Sequence, residues 1–312
     1  MSTTVCGVPV HYVSAESSPA ADRNAPVQLL VPPMTGSASM WLDLVPCLRQ
    51  LGPVIAVDLP GSIAGHTGAP YRHGPRADLD ARFVLAFVRQ LRLERQAVLH
   101  GWSTGGLVAA LAAGMMPDKV LGAALFAPAL PWRLSSPAEA LAWQTLGRLV
   151  IAAGPPVART MLRFAGRRIL DAKRNMITDT GAIPAGRTNL IGGDPGRVSP
   201  AQVDLWRDDL AAIYEHPQRL GGTATAFASI IESMFIKQRQ TNEALDSVRV
   251  PVLVLWGSDD ALVDPASLRQ HARRPTWTPR IIDGVGHLLP IEAPDLCAQA
   301  VSEWLGDIRE VP

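Results

Sequence analysis

The chain has 312 residues, a formal net charge of +1, and 47% hydrophobic against 18% charged residues. This length can bury one large core, or a core with a sizeable insertion, and the composition is that of a globular enzyme rather than a disordered chain. The nearly balanced charge argues against nucleic acid or an anionic membrane surface as the main partner, so we expect a small-molecule substrate.

The cysteines and the N-terminus exclude further classes of protein. Cys6, Cys47 and Cys297 are odd in number, far apart and without C-x-x-C spacing, so neither a disulfide framework nor a cysteine zinc site is indicated. The first residues lack the pattern of a secretory signal, and no apolar run approaches the length of a membrane span. We therefore expect a cytoplasmic protein without membrane insertion, either a monomer or a homodimer.

The first hundred residues alternate between strand and helix patterns. Short apolar runs predict strands, and apolar residues at helical spacing predict helices. The predicted strands cover residues 8–13, 27–31 and 54–57, and the predicted helices cover residues 40–51 and 78–93. Such alternation is typical of a mostly parallel sheet that carries helices on both faces.

Two loops that follow these strands carry polar or unusual residues. The second predicted strand is stopped by Pro32 and Pro33, and the loop continues as P-P-M-T-G-S-A-S-M-W, with a cis X-Pro bond left open. The third predicted strand leads to Asp58, which we interpret as a turn residue that caps its own backbone. We interpret His66, in the glycine-rich loop beyond it, as a surface histidine.

Residues 100–107 read H-G-W-S-T-G-G-L and join an apolar run to a helical pattern. Gly101 and Gly105 flank Ser103 at two residues on either side, a spacing that lets a sharp strand-to-helix turn hold a serine in strained backbone geometry. The turn would place the serine at a helix N-terminus, where backbone N–H groups and the helix dipole favour developing negative charge. The pattern therefore predicts a nucleophile for acyl transfer.

The second half of the chain first loses and then regains the strand pattern. After a predicted strand at residues 120–126, residues 127–246 hold several helical segments and no convincing strand. Strands at residues 252–256 and 280–283 then lead into G-S-D-D-A-L-V-D-P and G-V-G-H-L-L-P-I-E-A-P, and a helix at residues 295–305 closes the chain. Both loops follow the ends of predicted parallel strands, where sites of open α/β sheets form.

Together these motifs resemble the α/β-hydrolase superfamily, whose nucleophile elbow is G-x-S-x-G and whose catalytic residues follow in the order serine, acid, histidine. The resemblance covers nearly the whole chain except the helical region. It implies the α/β-hydrolase fold, with a mostly parallel central sheet flanked by helices and a helical cap inserted after strand six. It also implies a core domain of residues 1–131 and 247–312 and a cap, or lid, domain of residues 132–246.

The same resemblance implies a catalytic triad of Ser103, Asp260 and His287. Asp259 stays open as an alternative acid, because it lies one backbone step from Asp260. The residue types suit the chemistry, since a serine hydroxyl needs a base whose pKa lies near seven, and histidine is the side chain that starts there. The histidine in turn needs a carboxylate that holds its tautomer and stabilises its protonated form.

An oxyanion hole and a pocket complete the implied site. The superfamily loop reads H-G-x-x-G-x-x-x-x-W, and here two prolines replace the H-G pair while Gly36 and Trp41 match. Proline has no N–H, so the amide donors that we expect are those of Met34 and Thr104. The side chains expected to line the substrate pocket are those of Trp102, Pro33 and Trp132.

These residues predict a serine hydrolase that cleaves a carboxylic ester or thioester of a mostly apolar small molecule through an acyl-enzyme. Two alternatives stay open: a carbon–carbon bond hydrolase, acyltransferase or cyclase with the same triad, and a non-catalytic hydrolase-fold protein that only binds a ligand. An aspartate-nucleophile dehalogenase or epoxide hydrolase is disfavoured, because position 103 is serine. No metal and no organic cofactor is implied.

Overall fold

The computed structural model describes residues 1–33, 36–62, 65–67, 77–131, 136–149, 151–153, 195–202, 204–205, 228, 230–263 and 268–309. Two predicted site residues, Met34 and Trp132, lie outside these described residues.

One eight-stranded sheet forms the centre of the molecule. Its strands are β1 Ser2–Val5, β2 Val8–Ala15, β3 Val27–Val31, β4 Val54–Val57, β5 Ala97–Trp102, β6 Val120–Phe126, β7 Val252–Gly257 and β8 Trp277–Ile282. Their order in the sheet is β1-β2-β4-β3-β5-β6-β7-β8. The pairs β1·β2 and β2·β4 are antiparallel and all other pairs are parallel, so the predicted mostly parallel sheet is confirmed.

Helices cover both faces of the sheet. Among the described residues, those with defined bounds are α1 Val45–Leu48, α2 Ala77–Gln90, α3 Thr104–Met115, α4 Pro137–Ala142, α5 Gln238–Asp246, α6 Leu268–His271, α7 Leu289–Glu292 and α8 Pro294–Arg309. One apolar core contains Leu29 together with Phe87 of α2 and Leu107 of α3. The other contains Leu30 and Trp304 of α8, because successive side chains of a strand point to opposite faces.

The sequence missed β1 and the short helix α7 and placed one predicted helix wrongly. A hairpin joins β1 to β2 through Cys6 and Gly7, whose φ angles of 50° and 80° lie in the left-handed region that such tight turns require. The predicted helix at residues 40–51 is instead a 3₁₀ turn, Ala38–Trp41, followed by the four-residue α1. Pro46 lies in the first turn of α1 and has no N–H for a longer helix, so the helical spacing there was misleading.

The described part of the chain between β6 and β7 contains several helical segments. α4 continues into a π turn at Trp143–Gly147, and a second π turn at Glu232–Ile236 precedes α5. Trp143 stacks on Phe235 at a ring-centroid distance of 4.3 Å. The described residues of this region contain no strand, in agreement with a helical insertion after strand six. Among the described residues, no helix is both long and apolar enough to cross a bilayer.

Candidate active site

Ser103 occupies the sharp turn between β5 and α3. Its φ of 53° and ψ of −118° place a residue with a side chain in a strained backbone region. The Ser103 amide donates to the Phe126 carbonyl at 2.9 Å, which anchors the turn to the neighbouring strand β6. Strain of this kind persists only where the surrounding structure holds it, and it is concentrated at functional sites.

The flanking glycines allow three segments of backbone to meet at this turn. A Cβ at Gly101 would lie 2.4 Å from the Gly105 carbonyl oxygen, so the strand and the first turn of α3 could not approach each other. A Cβ at Gly105 would lie 2.4 Å from the carbonyl oxygens of both Val31 and Pro32. The G-x-S-x-G spacing therefore has a steric cause: both glycines lie where backbone passes too close for any side chain.

A chain of hydrogen bonds connects Ser103, His287 and Asp260. Ser103 Oγ lies 3.1 Å from His287 Nε2, and His287 Nδ1 lies 2.9 Å from Asp260 Oδ2. The His287 and Asp260 side chains are almost fully buried, with 4% and 0% of their surface exposed. An ionised carboxylate only accepts hydrogen bonds, so Nδ1 carries the proton and Nε2 presents its lone pair to the serine hydroxyl. This arrangement can draw the proton from Ser103 and activate it as a nucleophile.

The Asp260 carboxylate is held at both oxygens. Oδ1 accepts hydrogen bonds from the amides of Leu262 and Val263 at 2.8 and 3.0 Å. Oδ2 accepts from the Trp256 indole at 3.0 Å in addition to His287. Four donors therefore surround a group that offers about four lone-pair sites, and a carboxylate satisfied in this way is rigidly oriented.

Asp259, the alternative acid, lies outside this network. Its residue is exposed, and its Oδ1 accepts a hydrogen bond from Ser258 Oγ at 2.9 Å. Its amide donates to the Val285 carbonyl at 3.0 Å, which ties the acid loop to the loop that carries His287. The structure thus brings Asp260 to His287 and turns the Asp259 side chain toward solvent.

The backbone around His287 is held at three successive residues. Glu292, at the end of α7, accepts from the Gly286 and Leu288 amides with its two carboxylate oxygens, each at 3.0 Å. The Trp102 indole donates to the His287 carbonyl, also at 3.0 Å. The sequence motif singled out His287 but not this clamp, whose only signal was an acidic residue between the apolar neighbours of P-I-E-A-P.

The structure describes only some of the residues predicted for the oxyanion hole and the substrate pocket. Thr104 is the first residue of α3, while Met34 and Trp132 lie outside the described residues. Pro33 is buried, its carbonyl accepts from the Gly36 amide at 2.8 Å, and every described peptide bond is trans, including the two that precede the prolines. Trp102 is 1% exposed and packs edge-on against Trp41 in the core.

Asp58 has a larger structural role than the sequence predicted. Instead of capping its own backbone, its carboxylate accepts from the Ala38 amide at 2.6 Å and the His66 amide at 2.8 Å. It thereby joins two loops that are separate in sequence. Burial raises the pKa of this carboxyl, but hydrogen bonds from His66, Ala38 and His11 outweigh burial and leave the pKa below its usual value.

A buried histidine beneath the elbow was also missed. His100 Nε2 lies 2.8 Å from Gln28 Oε1, and the Gln28 amide group donates to the carbonyls of Pro26 and Leu51 at 3.0 and 3.2 Å. Because those two bonds orient Gln28 with its oxygen toward the ring, His100 donates from Nε2. Burial lowers the pKa of His100 to about 3, so the ring is neutral. A glutamine within the apolar strand V-Q-L-L-V was the available signal.

Comparisons with known proteins bear on this arrangement. The model of the alpha/beta hydrolase family matches residues 28–300. A pimeloyl-[acyl-carrier protein] methyl ester esterase of Neisseria meningitidis serogroup C is 30% identical over 229 residues, which cover 72% of this chain and 72% of that protein. The dihydrolipoyllysine-residue acetyltransferase component of the acetoin cleaving system of Pseudomonas putida is 29% identical over 282 residues, which cover 89% of this chain and 62% of that protein.

Solved structures support the fold. An epoxide hydrolase without ligand matches with a TM-score of 0.72 at 18% identity and covers 99% of both chains. A bacterial membrane phospholipase A matches with a TM-score of 0.63 at 23% identity, over 100% of this chain and 86% of that one. The family match, which spans most of the chain, carries the assignment. This chain belongs to the alpha/beta hydrolase family and is a hydrolase-fold enzyme.

Proposed function

We propose that this enzyme is a serine hydrolase that cleaves a carboxylic ester or thioester of a mostly apolar small molecule. The observation that carries the proposal is the continuous chain from Ser103 Oγ through the His287 ring to Asp260 Oδ2, at 3.1 and 2.9 Å. A strained backbone presents the serine and buried hydrogen bonds hold the other two groups. A constellation arranged in this way supplies a nucleophile, a base and an orienting acid.

The proposed reaction has two halves. His287 Nε2 takes the proton of Ser103 Oγ while the oxygen attacks the substrate carbonyl carbon, and the imidazolium then gives that proton to the departing alcohol or thiol. An acyl-enzyme on Ser103 remains. A water molecule attacks it by the same route, with His287 as base, and releases the carboxylic acid and the free serine. Asp260 stays ionised throughout and stabilises the imidazolium.

We propose that the oxyanion of each tetrahedral intermediate is bound by the amides of Thr104 and Met34. Thr104 is the residue after the nucleophile and begins α3, where the helix dipole favours negative charge. Two further amides of the loop after β3 already donate hydrogen bonds: the Gly36 amide donates to the Pro33 carbonyl, and the Ala38 amide donates to the Asp58 carboxylate. Neither amide therefore competes with Met34 for the second position.

Residues 132–246 are proposed to form a cap over this site. In the described parts of this region, the Gln144 side chain donates to the Ile236 carbonyl at 2.8 Å, so two segments distant in sequence pack together. Arg197 donates to the Gly284 carbonyl at 3.0 Å, and Ser199 Oγ donates to the Asp43 carboxylate. These contacts attach the region to the core beside the histidine loop.

The identity of the acyl acceptor separates the proposal from its nearest alternative. The Neisseria relative is named a methyl ester esterase, which supports water as the acceptor and puts methyl esters of acyl chains first among substrates to test. The Pseudomonas relative is named an acetyltransferase component, and this keeps acyl transfer as the second candidate. Product analysis with and without added alcohol, thiol or amine acceptors distinguishes the two.

Labelling with a fluorophosphonate tests the nucleophile directly. We expect the wild-type protein to be labelled at Ser103, Ser103→Ala to lose all labelling, and Ser14→Ala, which removes an exposed hydroxyl of β2, to label like wild type. A wild-type protein that stays unlabelled, under conditions in which a known serine hydrolase reacts, would favour the non-catalytic ligand-binding alternative. An acyl-enzyme mass shift with ester and thioester panels then identifies the substrate class.

A further inference from the structure

A second group of titratable side chains lies apart from the proposed triad. His11 on β2, Asp58 after β4 and His66 in the following loop bring their side chains together. The Nδ1 atoms of His11 and His66 lie 2.8 and 3.5 Å from the same oxygen, Asp58 Oδ2. One ligand atom from each of the three residues lies within 4.8 Å of the other two.

The Asp58 carboxylate is held in a fixed orientation within this group of three residues. Its side chain is fully buried, and amides of Ala38 and His66 donate to its two oxygens. Hydrogen bonds of this kind orient metal-binding carboxylates in proteins and keep them ionised. Oδ2 retains a lone pair beyond the one used by the His66 amide, and that lone pair faces the two imidazole rings.

The three segments are also tied together by their backbones. The Asp58 amide donates to the His11 carbonyl at 3.1 Å, and the His11 amide donates to Thr67 Oγ1 at 3.0 Å. The two rings lie 4.9 Å apart between centroids. The cluster is therefore held together before any ligand arrives, which lowers the entropic cost of binding one.

An ordinary histidine–aspartate ion pair accounts for only part of this geometry. One imidazole is enough to pair with the carboxylate, yet here two rings direct Nδ1 to one oxygen. The side chains of His11 and His66 are 35% and 51% exposed, so an ion from solvent can reach them. Two imidazoles and one carboxylate form a ligand set suited to zinc and to similar divalent transition metals.

We propose that His11, Asp58 and His66 bind a divalent transition-metal ion, with zinc as the best match. The ligands are His11 Nδ1, His66 Nδ1 and Asp58 Oδ2, with water in the fourth position, and each histidine binds as a neutral imidazole that carries its one proton on Nε2. Ligand atoms around one tetrahedral zinc ion lie roughly 3.4 Å apart at zinc–ligand bonds of about 2.1 Å. The separation of 3.5 Å between His66 Nδ1 and Asp58 Oδ2 already fits, whereas the 2.8 Å between His11 Nδ1 and Asp58 Oδ2 must widen when the ion binds.

The site shares no residue with the proposed triad, and the role that we assign to the ion is structural. It would cross-link β2 to the turn after β4, and through the Asp58–Ala38 hydrogen bond it would fix the loop that follows β3. Its expected effects are a higher melting temperature and a more rigid loop beside the nucleophile elbow.

Metal titration of chelator-treated protein tests the proposal. We expect zinc to bind with a stoichiometry of one ion per chain in calorimetry and to raise the melting temperature of wild type. His11→Gln and His66→Gln should each weaken binding at least about tenfold and abolish the thermal shift. Glu94→Gln, which removes an exposed carboxylate that is not part of the cluster, should behave like wild type. Both substituted histidines are partly exposed, so the variants are expected to fold.

Cobalt provides an independent measurement on the same proteins. Bound cobalt should give visible absorption bands of tetrahedral nitrogen and oxygen coordination, without the near-ultraviolet charge-transfer band that Cys6 or Cys47 would produce. These bands should be lost in both cluster variants. Absence of saturable binding to wild type, or equal binding to His11→Gln, His66→Gln and wild type, overturns the proposal.

Discussion

Two histidine–aspartate pairs in this molecule have almost the same hydrogen bond and very different surroundings. His287 and Asp260 are 2.9 Å apart, and His11 and Asp58 are 2.8 Å apart. Both carboxylates are fully buried, but the His287 side chain is 4% exposed and the His11 side chain is 35% exposed. The pair alone therefore does not define a function.

The two pairs differ in the group that lies next to each histidine. The remaining nitrogen of His287 faces a serine hydroxyl, so the pair can move a proton on and off a nucleophile. Beside His11 lies a second imidazole, so the same carboxylate oxygen is shared by two potential metal ligands. A buried pair that faces a hydroxyl suits catalysis, whereas a pair open to solvent and joined by another donor suits ion binding.

Removal of the buried carboxylate should give the largest effect. Asp260→Asn leaves the side-chain shape intact, but its amide cannot hold His287 in the tautomer that accepts the serine proton, so kcat should fall by about 10³–10⁴. Asp259→Asn is the matched control, because that residue is exposed and one position away, and its kcat should stay within about twofold of wild type. Steady-state kinetics on the best ester identified would decide, and the reverse ranking would transfer the acid role to Asp259.

Local patterns predicted seven of the eight strands and the elbow, whereas Asp260 and His287 were implied by the resemblance to the superfamily. Apolar runs define β3, β4 and β6 at their observed bounds, and a strained serine turn requires flanking glycines. The clamp of Glu292 on the histidine loop and the meeting of His11 with Asp58 could not be read in this way. Each joins side chains through tertiary contacts, and no spacing in the chain reports which buried acid faces which amide.

Other elements failed for a local reason. The helix predicted over residues 40–51 had the correct apolar spacing, but Pro46 has no N–H to donate to the preceding turn, so the α-helical part begins only at Val45. The β1–β2 hairpin depends on Cys6 adopting a positive φ, which is not a preference of cysteine. In both cases a backbone constraint decided the local structure. The spacing of apolar side chains, on which the prediction depended, does not report such constraints.

The indole of Trp256 supports the buried His287–Asp260 pair through a hydrogen bond to the carboxylate. It donates to Asp260 Oδ2 at 3.0 Å, the oxygen that also faces His287. Trp256→Phe removes this donor and loosens the carboxylate, so kcat should fall about 10- to 30-fold with little change in KM, in line with the loss of a hydrogen bond to a charged group. The downfield proton resonance of His287 Nδ1–H should shift in the same variant.

Trp304→Phe supplies the control for the loss of a buried indole. Trp304 is 1% exposed, and its Nε1 has no hydrogen-bond partner among the described residues. Both substitutions remove similar volume from the core, but Trp256→Phe also removes hydrogen bonds to Asp260 and to the Val263 carbonyl, so its loss of stability should be the larger. If Trp304→Phe lowers kcat as much as Trp256→Phe and the His287 resonance is unmoved, the indole has only a packing role.

His100 forms a third kind of pair, in which the partner of the histidine is neutral. The effect expected from it, on the pH dependence of stability, is the smallest. Gln28 has no negative charge to offset that of an imidazolium, and burial lowers the pKa of His100 to about 3, against about 6.5 in the unfolded chain. A depressed histidine pKa means that the unfolded state binds the proton more readily. The contribution of this ring to stability is therefore present above pH 6.5 and is lost progressively as the pH falls toward 3.

The comparison of wild type with His100→Gln isolates this titration. Glutamine does not titrate and keeps an N–H donor for Gln28 Oε1, so the difference between the two free energies of unfolding should change by about 0.8 kcal/mol between pH 8 and pH 6. Urea unfolding at both pH values measures it, and groups common to both proteins, such as buried His271, cancel in the difference. A difference that stays constant over this range would mean that the His100 site accepts a proton as readily as the unfolded chain. The lack of a charged partner would then not be the reason that the His100 ring is neutral in the folded protein.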